Sequence, residues 1–283
     1  MGIVAAGIAP HPPIIIPEVG RGEQKKAART IDAMQDLARR VAVVQGETII
    51  IITPHGPMFR DAVAILNGAH LQGDFADFRT PDIRLAAEND LELARAISEE
   101  SSKAGIEAVL LGGEGNGAAY PGREFGLDHG ITVPLYYLQK AGAGNRLIAI
   151  TYAPFSYDEL YRFGRAIKAA AERLSRRVVV IASSDLSHRL IRGAPAGYDP
   201  KGEEFDNLLI SYLESYQVEK ILNMDVGLIQ AAGECGLRSI AVLLGCLDKE
   251  EVEAEIISYE GPFGVGYPVA IFTPQREGKG EVE

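Results

Sequence analysis

The sequence predicts an α/β fold, a central mixed β-sheet with helices packed on both faces in a single domain. Three observations carry that expectation. The runs Ile3 to Ile8, Thr48 to Ile52 and Val178 to Ala182 are apolar without polar alternation, the pattern of strands covered on both sides. Amphipathic helical stretches alternate with such runs, which is the order that winds helices onto a sheet. No Pro/Ser-rich linker divides the chain before its last ten or so residues.

The elements follow in order. After the first strand and a proline loop, Glu23 to Gln45 places Ala28, Ile31, Met34, Leu37, Val41 and Val44 at helical spacing with charges on the other face. With Thr48 to Ile52 it reads as one βαβ unit. Asp61 to Leu71 and Ile83 to Ala86 read as shorter strands, in an antiparallel arrangement. A helix from Asn89 to Ala104 and a strand at Ala108 to Leu111 come next. Gly112 to Gly130 is a Gly-rich polar stretch, long for a plain connection, and loops of that length are more often functional. No element is assigned to 131–146. Leu147 to Thr151, a helix from Tyr157 to Leu174 and Val178 to Ala182 repeat the strand, helix, strand order. Glu203 to Leu247 reads as helical, and Glu253 to Tyr259 and Tyr267 to Phe272 as closing strands. The domain is drawn over 1–273, with 274–283 as a flexible tail or the start of a linker.

Charge and cysteine usage exclude some functions. With 39 acidic against 28 basic residues and a net charge of −11, a broad nucleic-acid surface is not expected, because phosphate binding needs clustered cations. The basic stretch Arg173 to Arg177 is read as solvated charge at a helix end. Cys235 and Cys246 are the only cysteines and have no CxxC spacing, which suits a reducing compartment. No basic-then-apolar signal and no membrane-length apolar window is found, so a cytoplasmic protein without membrane contact is expected.

Chemistry is expected where strands end. His11 in Ala9-Pro10-His11-Pro12-Pro13 and His55 in Thr53-Pro54-His55-Gly56-Pro57 each follow a strand, at the edge where ligand crevices form in α/β sheets. Two imidazoles and a carboxylate would make a metal face with open positions. Glu234, flanked by Gly233 and Gly236, is the candidate carboxylate, with a helix-terminal surface role as the alternative. Cys235 is either a buried small residue or a thiolate for zinc or copper. His188, in Ser183-Ser184-Asp185-Leu186-Ser187-His188, suits a general acid/base with Asp185 and three hydroxyls nearby to orient it, or it braces the turn. His129, in Leu127-Asp128-His129-Gly130, either meets a substrate or caps the next segment. His70 reads as an ordinary strand residue. Without a G-x-S-x-G elbow, serine hydrolysis is disfavoured. The glycines from 112 to 117 lack the lysine of a phosphate loop. Zinc-dependent hydrolysis by His11, His55, Glu234 and a water is a further reading of the same residues.

Taken in order, APHPP at Ala9 to Pro13, TPHGP at Thr53 to Pro57, LDHG at Leu127 to Gly130, SSDLSHRL at Ser183 to Leu190, GYDPKGEEFD at Gly197 to Asp206 and AAGECG at Ala231 to Gly236 carry a resemblance. The chain resembles the class III extradiol ring-cleavage dioxygenases, the group of the protocatechuate 4,5-dioxygenase catalytic subunit. That resemblance implies Fe(II) held by His11, His55 and Glu234, His188 as catalytic acid/base and His129 assisting. A catecholic substrate and dioxygen would be the reactants. Memo-like proteins look similar at the same motifs, and through them His11, His55, His188, Cys235 and Asp185 are implied to line the pocket, with zinc or copper as alternative metals. The resemblance extends to the AmmeMemoRadiSam system, which implies an AMMECR-type domain partner or fusion and admits a homo-oligomer. The absence of Trp and of a ring-stacking cluster beside the histidines departs from a catechol pocket. A metal-binding or redox accessory role without ring cleavage is the alternative.

Overall fold

The structure, a computed structural model, describes residues 2–114 and 118–275. Strands β1 (Gly2–Ala9), β2 (Thr48–Thr53), β7 (Arg146–Thr151) and β8 (Arg177–Ser183) form the parallel centre of a mixed sheet. Two antiparallel strands, β9 (Val252–Glu260) and β10 (Tyr267–Pro274), extend it beyond β1. On the other side β5 (Thr80–Asn89) joins β7 and carries β4 (His70–Phe75), so the order reads β4-β5-β7-β2-β8-β1-β10-β9. The short pair β3 (Val63–Leu66) and β6 (Ala108–Leu111) attaches to β7 through β3.

Alternation along the central strands divides the core in two. Ile50 and Ile52 of β2, with Val178, Val180 and Ala182 of β8, pack on one face. That face is covered by α3 (Leu91–Lys103), α5 (Tyr157–Arg173), α6 (Pro200–Glu214) and α9 (Leu237–Cys246). Ile49 and Ile51, with Val179 and Ile181, point to the other face, under α2 (Ala28–Val44) and α4 (His129–Lys140). Period-two side-chain alternation with both faces apolar is what an unbroken aliphatic run dictates. Each fully buried isoleucine contributes roughly 1.5–3 kcal/mol by leaving water. Among the described residues there are also three shorter α-helices, α1 (Pro17–Gly20), α7 (Val218–Leu222) and α8 (Val226–Ala232).

Several elements differ from the sequence reading. β1 and β2 are parallel, but β8 lies between them, so the first βαβ crossover skips a strand. The expected helix at Glu23 begins as a 3-10 segment over Glu23–Ala27 and becomes α-helical at Ala28. Asp61 to Leu71 is interrupted, because the Asn89 side-chain amide donates to the Leu66 and Gly68 carbonyls at 2.8 and 2.9 Å and turns the chain from β3 into β4. The helical block from Glu203 to Leu247 divides into four helices, with Asp225 capping α8 and Gly233, at φ 62°, ending it. Helix α4 occupies a stretch to which the sequence reading assigns no element; Ile131, Thr132, Val133 and Pro134 have low helix propensity, and burial of Gly130 through Leu138 overrides that local preference. Pro274 closes β10, and the rest of the expected tail, from 276 on, lies outside the described residues.

Candidate metal centre

Parallel pairing sets the site. Ala9 is opposite Ser183 and Ile52 opposite Ala182, so β1, β2 and β8 end together at one edge. Proline cannot continue a ladder, and Pro10 and Pro54 turn the chain out of the sheet there, delivering His11 and His55. From β8 the chain passes through Asp185 to His188. The N-terminus of α4 is fastened to the same edge: Asp128 caps it, accepting from the Gly130 N–H at 2.8 Å and from the Thr53 hydroxyl at 2.6 Å. His129 is thus fixed in the first turn of α4. Gly130 has no room for a side chain, since a Cβ would overlap Thr53 Oγ1 and meet Asp128 Oδ1 at 2.9 Å. Gly130→Ala is expected to destabilise the protein by about 2 kcal/mol through this overpacking, read as a lower urea midpoint.

Three imidazoles meet at this edge. Ligand nitrogens of His11, His55 and His129 all lie within 4.8 Å of one another. His11 Nε2 and His55 Nε2 are 3.0 Å apart, and the His55 and His129 rings stack with centroids 4.1 Å apart. His11 is buried, His55 exposed and His129 half-buried, so the group opens from the sheet toward solvent. Phe78 presents an aromatic edge to His129 at 5.6 Å.

Hydrogen bonds fix the tautomer of His11. Ser183 Oγ lies 2.5 Å from the Gly130 carbonyl, which can only accept, so the serine proton is committed there. His11 Nδ1, 2.8 Å from the same Oγ, must then be the N–H that donates to it. Nε2 is left with its lone pair facing His55. Two metal–nitrogen bonds of about 2.1 Å at a right angle would place their nitrogens about 3.0 Å apart. Neutral imidazoles so arranged fit a divalent transition metal.

His188 is close enough to His11 and His55 that a charge on it would disfavour their protonation. Its Nδ1–H donates to the Leu186 carbonyl at 2.9 Å, which puts the lone pair of the neutral ring on Nε2. The turn that carries it is held by Asp206, wholly buried, whose carboxylate accepts from the Ser187 N–H at 2.8 Å and from the Tyr259 hydroxyl at 2.6 Å. Asp206→Ala would orphan both donors and should cost about 3 kcal/mol, measured by denaturant unfolding.

Glu234 and Cys235 divide differently from the sequence reading. Glu234 is not among the clustered ligands; its carboxylate accepts the Leu237 N–H at 2.6 Å and caps the start of α9. The loop geometry that turns it away turns its neighbour inward, and Cys235 Sγ is 3.5 Å from His11 Nε2. Asp185, expected to orient His188, serves His11 instead. One oxygen accepts the His11 backbone N–H at 2.9 Å and the other lies 3.7 Å from His11 Nε2. The three hydroxyls also have other partners: Ser183 serves His11, Ser184 donates to Ala182 and Gly236 carbonyls, and Ser187 to Ala232. Thr53, Asp128 and Gly130 support the site without having been singled out, and Ser183, expected beside His188, supports His11. The one signal available for Ser183 and Thr53 was a small hydroxyl residue at the last position of a strand leading to a histidine.

Burial sets the protonation. It holds His11 well below the ordinary histidine range, aided by the charges that His55, His129 and His188 would carry. It lowers His55 to about 4, and it lowers His129 and His188 as well. Burial raises Asp185 to about 7 and pushes the Cys235 thiol well up. At neutral pH all four imidazoles are therefore neutral, the state that binds metal or accepts a proton. For His55 the depressed folded value means that its stability contribution is complete above 6.5 and lost as pH falls through about 4. Asp185 acts oppositely, its contribution being lost as pH rises through about 7. Metal-free protein should thus lose stability from pH 6.5 to 4 more steeply than His55→Ala does, measured by urea unfolding across that range.

A family described as the catalytic LigB subunit of aromatic ring-opening dioxygenase matches residues 5–270. The chain belongs to the LigB family. Among LigB-like relatives, a 3,4-dihydroxyphenylacetate 2,3-dioxygenase of Escherichia coli is 23% identical over 270 residues, 90% of this chain and 93% of that protein. A MEMO1 family protein of Pyrococcus furiosus is 25% identical over 276 residues, 93% of this chain and 81% of that protein. Protein CA_C1420 of Clostridium acetobutylicum is 44% identical over 262 residues; the match takes in 93% of this chain and 56% of that protein. This LigB-family chain therefore spans little more than half the length of the Clostridium relative. The solved structure of the uncharacterized protein JW3007 from Escherichia coli K12 shares the fold, with a TM-score of 0.62 at 14% identity over 95% of this chain and 99% of that one.

Proposed function

We propose that this LigB-family protein is a mononuclear non-haem Fe(II) dioxygenase that opens a catecholic ring. The observation that carries the reading is the pair of neutral imidazoles, His11 and His55, with Nε2 atoms 3.0 Å apart at the edge where three parallel strands end. His129 supplies the third protein nitrogen. Bound there, Fe(II) would hold a catecholate beside dioxygen and balance its charge. The chain's own residues do the rest. His188 Nε2 accepts one catechol hydroxyl proton and returns it late in the reaction, its ring held by the Leu186 carbonyl. Phe78, packed edge-to-face with His129, puts an aromatic side chain beside the site for a small aromatic ring to contact. Family membership and the similarity to a catechol-cleaving enzyme support the substrate class.

One observation favours a second reading. Cys235 Sγ lies nearer to His11 Nε2 than any carboxylate oxygen does, at 3.5 Å against 3.7 Å for Asp185. A His11, His55 and Cys235 set suits copper or zinc in a Memo-like accessory protein without oxygenase turnover. An attached AMMECR-type domain or partner would belong to that setting. Anaerobic reconstitution with Fe(II), followed by oxygen uptake on a panel of catechols, separates the two. Catechol-dependent uptake with a yellow ring-fission product is expected. Iron binding without uptake, or a clear preference for copper or zinc, would move the weight to the second reading.

A further inference from the structure

Pro134 is a residue the site does not obviously need. It lies in the sixth position of α4, where an ordinary residue would donate its N–H to the carbonyl of Gly130. Proline has no N–H, and its ring crowds the carbonyl four residues back, tipping it out of the helical ladder. That carbonyl is the one Ser183 Oγ reaches at 2.5 Å, and Ser183 is the acceptor for His11 Nδ1 at 2.8 Å. A gap in the backbone ladder thus meets a side-chain donor, and the donor's commitment decides which nitrogen of His11 carries the proton.

We infer that Pro134 is a positioning residue that fixes the tautomer of His11 through the relay from the Gly130 carbonyl to Ser183 Oγ to His11 Nδ1. It touches neither substrate nor metal. Its action is to keep the Gly130 carbonyl available to the Ser183 proton, so that Ser183 has only lone pairs to offer His11. With alanine at 134 the new N–H competes for that carbonyl. The Ser183 proton is then released to rotate toward His11, which can answer by carrying its own proton on Nε2, the atom facing His55. The inference rests on the metal-site reading for its consequence but not for its geometry, since the relay is made of the chain's own atoms.

The test reads the tautomer directly. Nitrogen-15 spectra of metal-free protein at neutral pH, with His11 assigned by its loss in His11→Ala, should show a single Nδ1–H form. In Pro134→Ala and in Ser183→Ala a mixture with the Nε2–H form is expected. Val133→Ala, which removes neighbouring buried packing without adding an N–H, should leave the single form intact. Cobalt(II) affinity, by chelator competition, should fall about 10–100-fold in Ser183→Ala, the usual cost of losing the partner that orients a metal-bound histidine. Combining Pro134→Ala with Ser183→Ala should add nothing further. An unchanged single Nδ1–H form in Pro134→Ala would overturn the inference, and should that variant fail to fold, an unchanged Ser183→Ala spectrum would do the same. Failure of the native protein to bind cobalt would sink the metal reading while leaving the tautomer result to stand on its own.

Discussion

His55→Ala should abolish metal loading while leaving the protein folded. By residue the histidine is exposed, and its imidazole lies 3.0 Å from His11 Nε2 and stacks on the ring of His129. Removing it opens no core cavity, so the stability cost is small. What is lost is one of two nitrogens that face each other at the spacing of adjacent metal ligands. Loss of a partner that merely orients a ligand already costs 10–100-fold in affinity, so losing the ligand itself should exceed about 100-fold. Elemental analysis after anaerobic reconstitution would read near-stoichiometric metal in the native protein and essentially none in the variant. The third ligand is tested beside it. The sequence resemblance favours Glu234, whereas the geometry puts Glu234 in the cap of α9, brings His129 to the cluster and sets Cys235 Sγ 3.5 Å from His11 Nε2. His129→Ala or Cys235→Ser should therefore weaken metal binding more than Glu234→Gln does.

The second large effect concerns turnover. His188→Ala should keep its metal and lose about 10²–10⁴-fold in kcat, the range for a removed general acid/base. His188 has its Nδ1–H engaged by the Leu186 carbonyl, so its lone pair is on Nε2, and burial lowers its pKa toward the neutral, proton-accepting form. Oxygen uptake at saturating catechol, paired with metal content of the same sample, separates chemistry from loading. Metal lost to the same extent as in His55→Ala would show His188 to be a ligand, and the Memo-like arrangement would then be the better account.

The central sheet was legible because its signal is local. Aliphatic runs such as Thr48 to Ile52 leave a strand few alternatives, and Pro10 and Pro54 mark where two of them stop. That was enough to bring His11 and His55 to one edge. What stayed hidden depends on partners far along the chain. Asp185 sits three residues from His188 yet serves His11, because the pairing of Ala9 with Ser183 sets β1 beside β8, and adjacency in sequence pointed to the nearer histidine. Glu234 and Cys235 are consecutive, and only the hydrogen bond to the N-terminus of α9 decides which of them faces the imidazoles. Helix α4 escaped for a related reason: Pro134 argues against helix locally, while Asp128, Thr53 and burial on α2 secure it from outside.

A crystal of the Fe(II)-reconstituted protein, with anomalous scattering recorded at the iron edge, would test the central claim most directly. One peak within bonding distance of both His11 Nε2 and His55 Nε2, with His129 as third protein donor, is the predicted result. A peak held by Glu234, or none at the histidines while iron is bound elsewhere, would contradict the account.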